Sequence, residues 1–169
     1  MSLEFETSRL KVFERSTDIE QSELSVLCLR IPELLTPSVV EHLPPYFHGI
    51  ESPSDAEHWF YKMVSESRLF VVKHKKPDSI IGLVFAFVEN SHDAHIGYLL
   101  GEDYWGQGLA SELLGGFITK AKEEKRWVKL VGGVDKSNIA STRLLVKLGF
   151  VEQPFPNDGQ VAFYEYQLT

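Results

Sequence analysis

Residues 103–114 read DYWGQGLASELL, and two glycines one residue apart stand there between an apolar run and a helical pattern. The apolar residues after Gly108 recur at helical spacing, which predicts a helix that begins at Gly108. Glycine lets a backbone approach a ligand where a β-carbon would clash. The first turn of a helix also presents N–H groups and a partial positive charge. The segment therefore fits an anion-binding turn, although a tight strand-to-helix connection without a ligand fits the spacing equally well.

Two common phosphate-binding patterns do not match this turn. A nucleotide-binding P-loop has several residues between its glycines and then a lysine, whereas Gln107 alone separates Gly106 from Gly108. A dinucleotide-binding turn has a third glycine where this chain has Ser111. An anion at this turn would therefore be bound without the features of either motif.

The segments around the turn predict a single α/β (α+β) domain over residues 1–169. Residues 95–100, the helix after Gly108 and residues 127–134 form a strand–helix–strand unit, so the two strands are expected to be parallel neighbours. We expect a mixed, mostly antiparallel central sheet of about six to seven strands with helices on both faces. Gly115 and Gly116 lie inside the predicted helix and indicate close packing against it. Periodicity predicts the remaining strands at 7–14, 68–75, 79–90 and 161–168, and the remaining helices at 16–31, 52–67 and 138–149.

The composition is that of an ordinary globular domain, with 43% apolar and 24% charged residues. Seventeen basic and twenty-four acidic residues give a net charge of −7, which disfavours broad binding to nucleic acid or to anionic membranes. The sequence shows neither a membrane-spanning apolar run nor a secretory signal, so we expect a cytoplasmic protein. The single cysteine, Cys28, lies in an apolar context typical of the core. His92 and His95 would point to opposite sides of an extended strand, so no metal site is expected.

Two longer segments carry a family resemblance: GYLLGEDYWGQGLASELL (97–114) and VDKSNIASTRLLVKLGF (134–150). Their glycine turn, helix-start asparagine and closing KLGF resemble, in order and spacing, the GNAT superfamily of acetyl-CoA-dependent N-acetyltransferases. The chain is most similar to the branch of ribosomal-protein N-terminal acetyltransferases. The resemblance implies acetyl-CoA as co-substrate, no metal, and an amine acceptor that is a protein N-terminus or a small molecule. We expect a monomer or a homodimer.

The resemblance also implies the contacts with the cofactor. Backbone amides of the turn would bind the pyrophosphate of coenzyme A, the strand before the turn would pair with the pantetheine arm, and the asparagine would cap its helix and contact the pantetheine. Asp103 departs from the family, which often has glutamine or arginine at this position, and we expect its carboxylate to point away from the phosphates. The implied contacts fall on Tyr98, Leu99, Leu100, Gly106, Gln107, Gly108, Leu109, Ala110, Ser111 and Asn138.

For the chemistry, the resemblance points to Ser141 as a hydrogen-bond donor to the departing thiolate. Many family members use a tyrosine at the position of Leu145, which cannot take this role. The alternative for Ser141 is a hydroxyl on the helix surface. His95 opens the central strand, and because histidine can exchange a proton near neutral pH it is a candidate base. A solvated histidine at a strand end fits His95 as well.

Residues 31–54 contain five of the eight prolines and two histidines, and by the resemblance they form one wall of the acceptor site. Tyr46 and Phe47 in this segment, and Tyr164 on the last strand, are candidate acceptor-binding residues; aromatic side chains that only pack the segment onto the sheet are the alternative. We therefore expect an N-acetyltransferase that moves the acetyl group of acetyl-CoA to a primary amine by direct transfer in a ternary complex. A non-catalytic acyl-CoA sensor and an interaction module are the alternatives.

Overall fold

One mixed sheet organises the residues that the computed structural model describes, which are 2–154 and 159–169. Within these residues the sheet has eight strands, in the order β1-β2-β3-β4-β5-β6-β8-β7. The strands are β1 (Glu4–Glu6), β2 (Leu10–Arg15), β3 (Arg68–His74), β4 (Ser79–Val88), β5 (Asp93–Leu100), β6 (Lys129–Asp135), β7 (Val151–Glu152) and β8 (Val161–Gln167).

Neighbouring strands pair antiparallel except for β5 and β6, which are parallel. The register of this parallel pair joins Asp93–His95 to Lys129–Val131. The predicted mixed, mostly antiparallel sheet is confirmed, with eight strands in the described residues instead of the six to seven expected. The sequence did not predict β1 and β7, because three and two residues are too few to show an alternating pattern.

Helices lie on both faces of the sheet, as expected. In the described residues they are α1 (Gln21–Leu34), α2 (Pro37–Val40), α3 (Pro53–Glu66), α4 (Leu109–Glu124) and α5 (Ile139–Leu148), with short 3₁₀ turns at Pro45–Phe47 and Glu102–Tyr104. The start of α1 lies five residues after the predicted start, and in the segment before it the Ser16 hydroxyl donates to Asp18 at 2.7 Å. In this part of the chain, no helix has both the length and the apolar character needed to cross a membrane.

The sheet is the middle layer of three. Buried side chains of α4 and α5 pack on one face, with Phe117 and Leu145 among them. Those of α1 and α3 pack on the other face, where Cys28 and Trp59 lie. Cys28 is buried, so its predicted place in the core is confirmed.

The two glycines inside α4 have different environments. A β-carbon on Gly116 would lie 2.7 Å from the ring of Phe5 and 2.8 Å from the Thr7 side chain. Close packing is therefore confirmed for Gly116, which lets β1 approach the helix. A β-carbon on Gly115 would have no atom within 4 Å, so the same prediction is wrong for Gly115.

Candidate functional site

A cleft of about 500 Å³ opens where β5 and β6 diverge. Beyond His95 the described residues of β5 no longer pair with β6, which pairs along its whole length with β8. The cleft walls are the end of β5, the glycine turn, the starts of α4 and α5, and α2 with the residues after it. Ten of the predicted site residues line it together: Tyr98, Leu99, Leu100, Gly106, Gly108, Leu109, Ala110, Ser111, Asn138 and Ser141.

The glycine turn has a backbone conformation that favours glycine. The φ angle is +74° at Gly106 and +77° at Gly108, a left-handed conformation that costs other residues about 1–2 kcal/mol. Helix α4 starts at Leu109 without a side-chain cap, so no capping oxygen from Gly108 occupies the amides of its first turn. Such amides, at the positive end of a helix, favour an anion beside them.

Arg9 and Glu112 hold the glycine turn in place. The Nη1 atom of Arg9 donates to the backbone carbonyl of Gln107 at 3.0 Å, and Nε donates to Oε1 of Glu112 at 2.8 Å. Glu112 also accepts a hydrogen bond from the Thr7 hydroxyl at 2.5 Å. Burial acts to raise the pKa of Glu112, but these hydrogen bonds and the Arg9 charge outweigh it and lower the pKa below its ordinary value. No local pattern predicts this contact, because Arg9 and Glu112 are 103 positions apart.

The 3₁₀ turn before the glycines contributes only some of its residues to the cleft wall. Asp103 is not among the residues that line the cleft, and its backbone carbonyl accepts a hydrogen bond from the Gln107 side chain at 3.1 Å. Gln107 does not line the cleft either. Tyr104 and Trp105 do line it, although neither was among the predicted site residues, and the Trp105 indole donates to the Leu100 carbonyl at 2.9 Å.

Tyr98 and Ser141 meet inside the cleft. Ser141 lies in the first turn of α5, where its N–H donates to the Asn138 side chain at 3.3 Å, and its hydroxyl lies 2.9 Å from the Tyr98 hydroxyl. Burial raises the pKa of Tyr98, and the hydrogen bond to Ser141 offsets this only in part. Leu145, one turn further along α5, is 3% exposed and packs over Gly132.

His42, one of the two histidines in the predicted acceptor wall, lines the cleft from the segment after α2. Its Nδ1 atom lies 3.3 Å from the Ser137 hydroxyl, which also lies 2.6 Å from a carboxylate oxygen of Asp135. Because the hydroxyl proton of Ser137 is donated to that carboxylate, the Ser137 oxygen accepts from Nδ1 of His42, and Nε2 of His42 lies 3.7 Å from a carboxylate oxygen of Glu41. The Ser137 contacts, together with Gln160 and His42, lower the pKa of Asp135 to about 2. The signal in the sequence that could have identified His42 is a histidine within the predicted acceptor wall.

Besides Gln107, four predicted site residues lie outside the cleft lining. His95 is in the part of β5 that pairs with β6. The Tyr46 ring packs at 4.9 Å against that of Phe47, which is 5% exposed. Tyr164 is 4% exposed and lies in the apolar layer on the opposite face of the sheet from Phe47. Within the described residues, no group of three or more histidine, cysteine, aspartate or glutamate side chains is arranged to hold a metal ion.

The predicted strand–helix–strand unit with its glycine turn is present, and its two strands diverge to open the cleft. A family model described as the acetyltransferase (GNAT) domain matches residues 28–151. The chain belongs to this family, which confirms the resemblance. The protein is an acetyl-CoA-dependent acetyltransferase.

One relative and several solved structures are similar to this chain over most of its length. The protein described as uncharacterized protein YkkB from Bacillus subtilis (strain 168) is 24% identical over 149 residues, covering 83% of this chain and 80% of the relative. Among solved structures, a GNAT-family acetyltransferase from Bacillus anthracis has a TM-score of 0.75 at 16% identity and covers 99% of both chains.

Two further solved structures contain coenzyme A. The RimL ribosomal L7/L12 α-N-protein acetyltransferase in complex with coenzyme A has a TM-score of 0.75 at 15% identity, over 95% of both chains. Spermidine N-acetyltransferase from Vibrio cholerae, in complex with coenzyme A and spermine, has a TM-score of 0.71 at 20% identity, over 95% of this chain and 96% of that one. At these identities the likeness shows the shared fold.

Proposed function

We propose that the protein transfers the acetyl group of acetyl-CoA directly to a primary amine in a ternary complex. One cleft connects the glycine turn and α5 to α2 through the opening between β5 and β6, and this observation carries the proposal. A cofactor bound along the turn and an amine bound beside α2 would meet in that opening. Two structural neighbours are, by their names, a ribosomal-protein α-N-acetyltransferase and a spermidine N-acetyltransferase. They support an acceptor that is a protein N-terminus or a small-molecule amine.

The glycine turn provides one set of contacts with the cofactor. The amides from Gly106 to Ser111 bind the pyrophosphate, because the uncapped start of α4 offers N–H groups and a positive dipole to an anion. Gln107 contributes through its backbone, since its side chain is bonded to the Asp103 carbonyl. Asn138 lines the same cleft at the start of α5 and contacts the pantetheine.

The end of β5 offers its backbone to the pantetheine arm. The N–H of Gly101 donates to β4, whereas the Leu100 carbonyl accepts from the Trp105 indole and so faces away from β4. In an antiparallel pair, alternate residues direct both backbone groups to the partner strand. Both backbone groups of Tyr98 therefore face the opening, where the pantetheine amides pair with them.

The amine nitrogen attacks the thioester carbonyl carbon, the C–S bond breaks, and coenzyme A leaves as a thiolate. The Ser141 hydroxyl donates a hydrogen bond to the departing sulfur. The amine loses one proton, which passes to Nε2 of His42 on the acceptor side of the cleft. A free α-amine has a pKa of about 8, so an appreciable fraction is neutral at neutral pH and one histidine suffices.

A panel of primary amines tests the proposal, with the free thiol released from acetyl-CoA as the readout. The panel contains peptides with free N-termini, polyamines and amino acids. Release of thiol that depends on one class of amine supports the proposal and names the acceptor class. Binding of coenzyme A without thiol release on any amine contradicts it and favours a sensor; a chain that does not bind coenzyme A favours an interaction module.

A second experiment tests the role of His42. His42→Gln is expected to lower kcat at least tenfold and to leave the KM for acetyl-CoA unchanged. His48→Gln is the matched control, because His48 lies in the same segment, outside the cleft lining, with its ring bonded to the Leu43 carbonyl at 3.1 Å. His95→Gln is the competing variant: a loss of kcat there, with none in His42→Gln, assigns the base to β5 instead.

A further inference from the structure

Ring packing and a hydrogen bond fix the position of the Tyr98 hydroxyl on the wall of the cleft. The side chain projects from β5 to the face covered by α4 and α5, where its ring packs against the apolar layer. Its hydroxyl lies 2.9 Å from the Ser141 hydroxyl. The pair joins β5 to α5 beside the opening between β5 and β6, which is the region that the proposed function assigns to the thioester.

The chemistry of the two hydroxyl groups sets the direction of this hydrogen bond. A phenol is a stronger acid than an aliphatic alcohol, so Tyr98 is the better donor and Ser141 the better acceptor. Burial raises the pKa of Tyr98, which keeps the phenol protonated at neutral pH. The Ser141 proton is then free to point into the cleft, and a chain of two hydroxyl groups polarises the second donor.

We propose that Tyr98 is a positioning residue that directs the Ser141 hydroxyl toward the sulfur of coenzyme A and stabilises the thiolate through it. This inference rests on the proposed function, in which the C–N bond forms and the C–S bond breaks. The Ser141 hydroxyl donates a hydrogen bond to the negatively charged sulfur that leaves. The Tyr98 hydroxyl donates to the Ser141 oxygen and so polarises the Ser141 hydroxyl. Both protons stay on oxygen, because a phenol whose pKa lies above about 10 is a weaker acid than a thiol with a pKa of about 8.5. The proton that finally neutralises the thiolate is the one that the amine gives up.

The pKa of the thiol of bound coenzyme A measures this stabilisation without any acceptor. The experiment titrates that thiol by its thiolate absorbance in the wild type, Tyr98→Phe, Ser141→Ala and the double variant. Each single variant is expected to raise the thiol pKa by about one unit, because a lost hydrogen bond to the charged form disfavours that form. The double variant is expected to match Ser141→Ala, since Tyr98 acts through Ser141.

Other groups that face the cleft are the same in all four proteins. They include Glu41 and His42 on the opposite wall and Tyr104 on the 3₁₀ turn. Tyr166→Phe is the matched control, because Tyr166 is a half-buried tyrosine that packs on Phe150 outside the cleft lining. This control is expected to leave the thiol pKa at the wild-type value.

Two results would overturn the inference. One is an unchanged thiol pKa in Tyr98→Phe, even if its thermal melt shifts, because the contact would then be structural alone. The other is a shift from Tyr98→Phe that persists in full in the Ser141→Ala background, because Tyr98 would then act without Ser141. A missing acceptor in the amine panel contradicts the proposed function and does not change this titration, so the two failures are distinguishable. Coenzyme A that does not bind contradicts both.

Discussion

Arg9 and Gln107 are joined by a hydrogen bond of 3.0 Å from the guanidinium of Arg9 to the backbone carbonyl between the two turn glycines. The same guanidinium pairs with Glu112 in the first turn of α4. The loop between β1 and β2 therefore fixes both the glycine turn and the helix that follows it. Because a preorganised turn loses less conformational freedom on binding, this contact bears on cofactor affinity.

Arg9→Met is expected to weaken coenzyme A binding about tenfold, or about 1.4 kcal/mol, when affinity is measured by calorimetry. The stability cost is expected to stay below about 1 kcal/mol, because Arg9 is 41% exposed and its ion pair with Glu112 is partly screened by solvent. Lys11→Met is the control, since it removes an exposed cation two residues further along the chain, in β2.

Glu112→Gln separates positioning from direct attraction between Arg9 and the phosphates. If Arg9 acts by holding the turn, the neutral residue loosens the contact and affinity falls as in Arg9→Met. A gain in affinity in Glu112→Gln would contradict positioning, because it would mean that removing a negative charge beside the phosphates outweighs the loss of order.

Gly108→Ala is expected to reduce coenzyme A affinity at least tenfold and to cost about 1–2 kcal/mol of stability, because φ is +77° at this position. Gly115→Ala, on the same helix, is the matched control. It is expected to raise stability by about 0.5–1 kcal/mol and to leave affinity unchanged, since the added methyl group meets no atom within 4 Å. Calorimetry and thermal melts check both variants, and equal affinities in the two would remove the turn from the cofactor site.

Phe47→Ala is expected to destabilise the fold by about 3–5 kcal/mol. The Phe47 ring lies 5.6 Å from that of Trp59 and 5.3 Å from that of Phe85, and the side chain is 5% exposed. Urea denaturation measures the loss. A variant that keeps wild-type stability and raises the KM for the amine would instead support the prediction that Phe47 binds the acceptor.

Glu14→Gln is expected to lower stability at neutral pH by about 1.5–3 kcal/mol, the usual contribution of hydrogen bonds to a charged group. Glu14 accepts two hydrogen bonds from Arg68, at 2.6 and 2.7 Å, and one from the Leu3 N–H at 2.9 Å. Burial acts to raise the pKa of Glu14, but these bonds and nearby positive charges outweigh it and lower the pKa below 4.5.

Because the folded-state pKa of Glu14 is depressed, its contribution is complete above the ordinary value of 4.5 and is lost as the pH falls through the folded-state pKa. The stability difference between wild type and Glu14→Gln should therefore shrink in acid. Urea denaturation on both sides of that value checks the trend, with Glu4→Gln on the exposed edge of β1 as the control. A difference that grows in acid would contradict the depressed pKa.

Local patterns in the sequence predicted the elements that build the cleft. Gly106 and Gly108 lie in one short motif, and Asn138 and Ser141 lie in another, so the spacing within each motif is visible in the sequence. The parallel pair followed from a single crossover helix. The regular strands and helices followed from their periodicity, whereas β1 and β7 are too short to have one.

Contacts between distant side chains could not be predicted in this way. Tyr98 is 43 positions from Ser141, and His42 is 95 positions from Ser137. Periodicity says which face of an element is apolar but not which hydroxyl groups meet between a strand and a helix. Phe47 shows a second limit of prediction from sequence. An aromatic residue in a proline-rich segment looks the same in the sequence whether its side chain lines a pocket or packs in the core.

Because β5 diverges from β6 in the described residues, no neighbouring strand covers the Tyr98 amide on the side of the opening, and we expect this amide to exchange with solvent. Pantetheine bound there adds a short non-peptide strand to the sheet, so the Tyr98 amide should exchange with deuterium much more slowly once the arm is in place. Pantetheine without its phosphates should slow exchange at Tyr98 and leave the amides from Gly106 to Ser111 unchanged, while complete coenzyme A should slow both. Deuterium uptake can thus map, group by group, how much of the cofactor is bound before any acceptor is known.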